Sequence, residues 1–188
     1  MPLTSHRRVR PLFVAEAIAE RNRQLAAEIA AADPKNLLVI AVLKGSFVFA
    51  ADLIRALHEA GLAPEVEFIS LSSYRDATVS SGSVAIIRDI DSDVRGRDVL
   101  LVDDILESGR TLAFAKDLLT ARGARRVLTA VLLEKPGKRA VAIAADFVGF
   151  ECPDLFVVGY GMDVAHAYRQ LPFVGVVELE GDPEPEQG

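Results

Sequence analysis

The sequence predicts an α/β fold in which helices flank a mainly parallel central sheet. Three apolar runs, at residues 37–43, 98–102 and 126–134, are too short for helices and are typical of strands buried on both faces of such a sheet. Helical patterns alternate with these runs, and this alternation favours parallel strands joined by helices. The last third of the chain differs, because its predicted strands are short and separated by turns. We expect that part to form a small strand-rich hood at one edge of the sheet.

The predicted helices are amphipathic, with apolar residues at helical spacing on one face. They cover residues 13–32, 47–60 and 111–122. Gly61 and Gly123 follow the second and third helices, at the position where glycine is the usual C-cap. Besides the three apolar runs, the predicted strands cover residues 65–71, 84–90, 145–150, 154–160 and 173–179.

Length and composition bound the domain organisation. The 188 residues are most simply one domain, 1–188, and 51% of them are hydrophobic and 26% charged, as in an ordinary soluble globular protein. Within it we expect a core over about 10–135 and 155–180 and a hood mainly over 136–176, with N-terminal residues contributing to the hood.

Charge and cysteine content exclude several classes of protein. The net charge of −6 argues against a protein that binds nucleic acid by neutralising phosphates. Cys152 is the single cysteine, so an internal disulfide and a Cys-rich zinc site are excluded, and its surroundings favour packing over a nucleophilic role. No run reaches the roughly 20 apolar residues that cross a bilayer, and the N-terminal residues lack the apolar segment of a signal peptide. We therefore expect a cytoplasmic protein without nucleic-acid or membrane partners.

The stretch VLLVDDILESGRTL, residues 99–112, combines a buried strand, two adjacent carboxylates and a small polar turn that begins a helix. Ligands of parallel sheets collect beyond the carboxyl ends of the strands, where Asp103 and Asp104 are predicted. Ser108, Gly109, Arg110 and Thr111 fall at a helix N-terminus, where free amides and the helix dipole favour an anion such as phosphate. Either piece alone would be an ordinary solvated strand end or helix cap. Their order and spacing together favour a site for a phosphorylated, hydroxyl-rich ligand.

The chain contains neither a GxxxxGK[ST] loop nor a GxGxxG motif that opens a helix. VLLVDDILESGRTL instead resembles the phosphoribosyl diphosphate-binding signature of the type I phosphoribosyltransferases. The segments VLKGSFVFAADLIRAL, SSY and DFVGFECPDLFVVGYGMD, followed by YRQLP, occur in the order of the hypoxanthine-guanine phosphoribosyltransferase family and narrow the resemblance to it. The resemblance covers residues 37–177, most of the chain.

This resemblance implies a type I phosphoribosyltransferase fold and a role in purine salvage. The family transfers 5-phosphoribosyl from phosphoribosyl diphosphate to N9 of a 6-oxopurine, with Mg²⁺ as cofactor, and releases pyrophosphate with IMP or GMP. By resemblance, Asp103 and Asp104 hold the ribose hydroxyls directly or through Mg²⁺. The implied phosphate contacts are Ser108, Gly109, Arg110 and Thr111 for the 5-phosphate, and Lys44, Gly45 and Arg169 for pyrophosphate. The Lys44–Gly45 loop of the family carries a non-proline cis peptide.

The resemblance places purine recognition in the last third of the chain. Lys135 is expected to donate to O6 of the base, and a side chain with donors only suits the carbonyl of hypoxanthine or guanine rather than the amino group of adenine. Phe147 is expected to stack on the ring, and Val148 to pair with the base through its backbone. Asp154 is expected to offer its carbonyl to the 2-amino group of guanine and its carboxylate to Mg²⁺ through water.

Ser73 and Tyr74 resemble part of the mobile lid that closes over the reacting centre of the family and excludes water. Glu107 departs from the family pattern, which usually has Asp at this position. Because Glu keeps the carboxylate and adds one methylene, it remains the candidate general base for the purine N7 proton.

Two other functions stay open from the sequence: a xanthine-preferring phosphoribosyltransferase, and a non-catalytic nucleotide-sensing regulator on the same fold. The acidic net charge and the presence of Lys135 count against the regulator. Family members are commonly dimers or tetramers, so the resemblance implies a homodimer or a homotetramer.

Overall fold

The computed structural model describes residues 8–73 and 84–178. Its three helices are α1 (Ala15–Ala31), α2 (Phe47–Glu59) and α3 (Arg110–Ala121), each within two residues of the predicted bounds. Its strands are β1 (Val9–Phe13), β2 (Leu38–Leu43), β3 (Glu65–Ser73), β4 (Val84–Arg88), β5 (Asp98–Leu106), β6 (Arg126–Glu134), β7 (Phe147–Glu151), β8 (Val157–Val158) and β9 (Val174–Val177).

Six strands form the main sheet, in the order β4-β3-β2-β5-β6-β7. The pairings of β2 with β3, β2 with β5, β5 with β6 and β6 with β7 are parallel, and β4 alone runs antiparallel. The predicted α/β fold with a mainly parallel sheet flanked by helices is thereby confirmed.

The apolar runs are continuous because both faces of the central strands are buried. Successive side chains of a strand point to opposite faces of the sheet. Val39, Leu100 and Val102 pack in the core beneath α1 and α2. Leu101 and its neighbours on the other face pack against Leu112 and Leu119 of α3.

A second, smaller sheet joins the two ends of the described chain. β9 pairs antiparallel with β1 on one side and with β8 on the other. β1 was not among the predicted strands, although N-terminal residues were expected in the hood. β7 lies within the range expected for the hood, 136–176, yet it pairs with β6 and extends the main sheet.

The strand that carries the two acidic residues is longer than the sequence pattern indicates. β5 continues to Leu106, so Asp103 and Asp104 lie within its second half and not after its end. β2 pairs with β5 only as far as the Ala41–Val102 pair. Beyond Val102 the β2 side of β5 has no strand partner, and the loop after β2 approaches it instead.

Cys152 is buried in the core with its side chain fully covered, as the packing role predicts, and burial raises the pKa of its thiol. Within residues 8–73 and 84–178, no helix is long and apolar enough to span a membrane.

Candidate active site

The turn between β5 and α3 presents backbone amides at the carboxyl edge of the main sheet, the edge where its parallel strands end. Gly109 is the N-cap of α3 and has a φ of 81°, a left-handed conformation that disfavours other residues. Because Gly109 has no side chain, no side-chain cap occupies the first-turn amides of the helix. Arg110 N lies 3.4 Å from Ser108 Oγ, a long and weak hydrogen bond. Residues Ser108–Thr111, hereafter the 108–111 turn, therefore have the amide donors and helix dipole that bind an anion.

Asp103 and Asp104 are adjacent in β5, so their side chains lie on opposite faces of the strand. Asp103 is only 7% exposed and lines a cavity of about 430 Å³ together with Glu107, Ser108, Gly109 and other residues of the turn. Asp104 N donates to Asp103 Oδ1 at 2.9 Å, and Ile105 N donates to Asp104 Oδ1 at 2.8 Å. These local bonds hold both carboxylates against the backbone of β5, with Asp103 at this cavity and Asp104 on the opposite face.

The pKa of Asp103 is raised well above its ordinary value by burial and by the adjacent charge of Asp104. Burial likewise raises the pKa of Asp104, while the hydrogen bond with Asp103 and the charge of Arg169 oppose that shift. A buried carboxylate beside a half-buried one is an electrostatic cost that a cation or hydroxyl donors would relieve. The pair is thus suited to a ligand that supplies one or both.

Lys44, Gly45 and Arg169 come together on the opposite side of β5. They line a second cavity of about 370 Å³ that also includes Asp104 and Asp163. The peptide bond between Leu43 and Lys44 is cis, as the resemblance implies. The backbone of Gly45 lies so close to Asp104 that a Cβ at this position would collide with the carboxylate. This close approach places the Lys44–Gly45 loop beside the acidic pair.

Arg169 is held at this cavity by two contacts. Its Nη1 donates to the carbonyl of Gly161 at 2.6 Å, and its Nη2 lies 2.7 Å from Asp163 Oδ1. The loop that carries Gly161 is itself anchored, because the Tyr160 hydroxyl donates to Asp52 Oδ2 at 2.5 Å. The guanidinium therefore has a fixed position facing Asp104.

Lys135, directly after β6, is buried at the same carboxyl edge. Its backbone N donates to the carbonyl of Leu106, the last residue of β5, at 2.9 Å. Its Nζ donates to the carbonyl of Leu155 at 2.7 Å. An ammonium that is only 7% exposed and has one protein acceptor retains donors for a ligand carbonyl.

Phe147 and Val148 lie in β7, where their surroundings are structural. Phe147 packs against the core beneath α1 and α2, and Val148 against the core on the α3 face. The carbonyl of Val148 accepts a hydrogen bond from Arg21 Nη2 at 2.8 Å, so it is already paired within the protein. These contacts do not favour the stacking and pairing roles expected for the two residues.

Phe156 is the aromatic residue beside Lys135 that the sequence reasoning missed. It directly follows Leu155, whose carbonyl holds the Lys135 ammonium, and its side chain is 60% exposed. The segments DFVGF and LFVVG both contain a Phe-Val pair, so sequence alone gives no reason to prefer either. Exposure separates them, because a ring that stacks on a ligand must be accessible.

Asp154 and Asp163 differ in their position relative to the cavities. Asp154 is exposed and its Oδ1 lies 2.6 Å from Lys138 Nζ. Asp163 shares the second cavity with Asp104 and Arg169. Of the two, Asp163 is therefore better placed to act with Asp104 on a metal-bound ligand, although no group of three His, Cys, Asp or Glu side chains in the described part of the chain is arranged to hold a metal alone.

Three predicted residues remain: Glu107, and the two residues of the expected lid, Ser73 and Tyr74. Glu107 is half-buried and lines the first cavity, with its Oε1 3.8 Å from Lys138 Nζ. Ser73 is the last residue of β3, and Tyr74 lies outside the described residues.

The chain resembles known proteins along most of its length. The phosphoribosyl transferase domain family matches residues 12–165. The hypoxanthine-guanine phosphoribosyltransferase of Bacillus subtilis is 45% identical over 168 residues, which cover 89% of this chain and 92% of that protein. The bifunctional protein TilS/HprT of Listeria innocua is 47% identical over 165 residues, 88% of this chain, but the match spans only 24% of that longer protein. A crystal structure of a hypoxanthine phosphoribosyltransferase from Staphylococcus aureus superposes with a TM-score of 0.85 at 37% identity, covering 90% of this chain and 91% of that one.

The chain is a member of the phosphoribosyltransferase class, since that domain family matches residues 12–165. The paired carboxylates, the amide-lined helix start and the close-packed glycine loop at one edge of its parallel sheet agree with this assignment. The Bacillus subtilis protein is matched over nearly its whole length at 45% identity. The chain belongs to the hypoxanthine-guanine phosphoribosyltransferase family.

Proposed function

We propose that this protein is a purine salvage enzyme that transfers 5-phosphoribosyl from phosphoribosyl diphosphate to N9 of hypoxanthine or guanine. The products are IMP or GMP and pyrophosphate. The observation that carries the proposal is the meeting of three features at one sheet edge: the 108–111 turn, the Asp103–Asp104 pair and the buried Lys135. They are suited, in that order, to a sugar phosphate, to ribose hydroxyls and to a purine carbonyl.

The 108–111 turn binds the 5-phosphate through backbone amides, with the Ser108 and Thr111 hydroxyls as additional donors. Gly109 permits this because its left-handed φ turns the chain sharply into α3. Arg110 is exposed and adds positive charge at the mouth of the turn. The turn thus fixes one end of the substrate and orients the ribose toward β5.

Positive charge builds on the ribose ring as the pyrophosphate leaves, and nearby carboxylates stabilise it. Asp103 and Asp104 are placed to do this and to accept hydrogen bonds from the ribose hydroxyls. Carboxylates are also ligands that Mg²⁺ prefers, and Mg²⁺ usually binds through one or two carboxylates together with substrate phosphates and water. Asp104 and Asp163, which share the second cavity, fit that mode of binding. The raised pKa values of Asp103 and Asp104 are the direction expected of a carboxylate pair that a nearby cation would stabilise. When bound, Mg²⁺ would neutralise the charge of the leaving pyrophosphate.

The pyrophosphate lies in the second cavity in this proposal. The Lys44–Gly45 loop offers its backbone amides and the exposed Lys44 ammonium. Arg169 offers a guanidinium, which recognises phosphate oxygens through paired donors. Since Gly45 contacts Asp104, the groups that hold pyrophosphate and those that hold the ribose form one continuous surface.

The purine lies between Lys135 and Phe156. Lys135 donates a hydrogen bond to O6 of the base. The 6-amino group of adenine cannot accept that bond because it is itself a donor. Phe156 supplies an exposed ring for stacking, and we assign this role to it rather than to Phe147. Glu107 lines the cavity on the same side and accepts the N7 proton as general base.

Two further features stay predictions of the resemblance: closure of a lid that includes Ser73 and Tyr74, and assembly into a homodimer or homotetramer.

The proposal is tested by incubating the protein with phosphoribosyl diphosphate labelled in the ribose, Mg²⁺ and, separately, hypoxanthine, guanine, xanthine or adenine. We expect labelled nucleoside monophosphate with hypoxanthine and guanine and none with adenine. Lys135→Met is expected to abolish transfer, whereas the matched control Lys35→Met, an exposed lysine paired with Asp33, is expected to retain it. Transfer to xanthine alone would reassign the substrate, and transfer to none of the 6-oxopurines would reject the enzyme.

A further inference from the structure

Arg139 connects two parts of the site that belong to different strands. It lies four residues after Lys135, and its side chain is 22% exposed. Its Nη1 donates to the carbonyl of Glu107 at 2.9 Å, and its Nη2 donates to Glu134 Oε1 at 2.7 Å. Glu134 ends β6 directly before Lys135, and Glu107 directly precedes the 108–111 turn. One guanidinium therefore joins the purine end of the site to the phosphate end.

The residues after Arg139 cover the rear of the turn. Ala140 N and Val141 N both donate to the carbonyl of Ser108, at 2.9 and 3.1 Å. A Cβ on Gly109 would lie 3.2 Å from Arg139 Cδ and 3.1 Å from the carbonyl of Val141. The carbonyls of Glu107 and Ser108 are thus both bound from behind by the same short segment.

The direction of these carbonyls decides where the amides of the turn point. In a planar trans peptide, the C=O of one residue and the N–H of the next point in opposite directions. Holding the Glu107 carbonyl at the rear therefore aims the Ser108 amide forward, and holding the Ser108 carbonyl does the same for the Gly109 amide. Ser108 and Gly109 both line the cavity that also contains Asp103, so this cavity is the space available to those two amides.

We propose that Arg139 is a positioning residue for phosphate binding: it aims the first amide of the 108–111 turn at the 5-phosphate and ties that turn to the end of β6. This inference rests on the proposed function, because it names what the turn binds. Arg139 acts through the backbone of Glu107 and needs no contact with the substrate. The side chain holds two partners from separate nitrogens of a rigid planar fork, whereas a lysine has its three donors on one nitrogen and cannot reproduce that spacing.

The test measures binding of ribose 5-phosphate and of inorganic pyrophosphate by calorimetry. Arg139→Gln is expected to weaken ribose 5-phosphate about tenfold or more, the effect of losing one charge-assisted hydrogen bond. Pyrophosphate affinity is expected to stay unchanged, because its contacts at Lys44, Gly45 and Arg169 belong to other elements. Arg139→Lys is expected to lose ribose 5-phosphate affinity to a similar extent. Arg122→Gln is the matched control, since Arg122 makes a two-bond pair with Asp89 at the far end of α3, and it should change neither affinity.

Full affinity for ribose 5-phosphate in Arg139→Lys would show that the charge alone matters and would overturn the positioning role. Equal weakening of ribose 5-phosphate and pyrophosphate in Arg139→Gln would indicate general structural damage and would also overturn it. These binding measurements involve no purine and no turnover. A wild-type protein that binds both ligands but transfers nothing to a 6-oxopurine would reject the proposed function and leave the Arg139 result to stand on its own.

Discussion

Gly109→Ala tests whether the 108–111 turn, which we propose binds phosphate, depends on a glycine at its centre. The substitution has two costs in the structure. A left-handed residue with a Cβ costs about 1–2 kcal/mol, and Gly109 has a φ of 81°. The added Cβ would also lie 2.6 Å from Ile143 Cγ2, and overpacking of this kind costs about 1–3 kcal/mol.

Gly61→Ala separates the two costs. Gly61 follows α2 with a φ of 90°, and a Cβ there would have no atom within 4 Å. It therefore carries the conformational cost alone, about 1–2 kcal/mol. The difference between the variants, about 1–3 kcal/mol, is the overpacking.

The assay is thermal unfolding of both variants, followed by steady-state kinetics. For a chain of 188 residues, each kcal/mol lowers Tm by about 2–4 °C, so Gly109→Ala should melt about 2–12 °C below Gly61→Ala. It should also raise the KM for phosphoribosyl diphosphate, since small displacements of a binding group can cost about a hundredfold. Gly61→Ala should leave that KM unchanged. Equal Tm values and equal KM values in the two variants would refute the account of the turn.

Four further outcomes are expected. Asp103→Asn should raise the Tm at roughly pH 8 while abolishing transfer. Because the pKa of Asp103 is raised in the folded state, the folded state binds more protons than the unfolded state between the two pKa values, so stability falls as pH rises through that interval. The gain in Tm should therefore vanish toward about pH 4, and a lower Tm at the higher pH would contradict this. Glu107→Gln should lower kcat strongly with little change in phosphoribosyl diphosphate affinity, and unchanged kcat would remove Glu107 from the mechanism. Phe156→Ala should raise the KM for hypoxanthine more than Phe147→Ala does in initial-rate assays, and the reverse order would restore stacking to Phe147. Tyr160→Phe should weaken pyrophosphate binding in calorimetry by loosening the loop that holds Arg169, and unchanged affinity would show that Asp52 does not anchor it.

The central sheet and its helices could be predicted from the sequence because burial on both faces leaves a simple pattern. β6 lies where its apolar run predicts, and the ends of α2 and α3 follow from Gly61 and Gly123. The end of β5 could not be predicted in this way. Two charged residues interrupt an apolar run whether the strand stops there or continues. The pairing of Asp103, Ile105 and Leu106 with β6 shows that it continues. β1 was missed because a short segment with a proline becomes a strand only through β9, which lies more than 160 residues further along the chain.

The candidate site residues also differ in how far the sequence alone could identify them. The residues of one continuous motif, Asp103 to Thr111, could be grouped from the sequence because neighbours along the chain are also neighbours in space, and several of them line one cavity. The purine side could not be assigned as surely, since Phe147 and Phe156 have near-identical local sequences and differ in burial. Arg139 gave no signal in the sequence. Its role depends on two hydrogen bonds to residues that lie 5 and 32 positions away.

The central claim is that one sheet edge binds a purine nucleoside monophosphate through amides, carboxylates and a lysine. A crystal structure of the protein with IMP and Mg²⁺ tests it most directly. The account predicts the phosphate on the amides of Ser108–Thr111, the ribose hydroxyls at Asp103 and Asp104, and O6 of the base within hydrogen-bond distance of Lys135 Nζ. A phosphate bound elsewhere, or a turn whose amides face the protein while IMP occupies another surface, would contradict it.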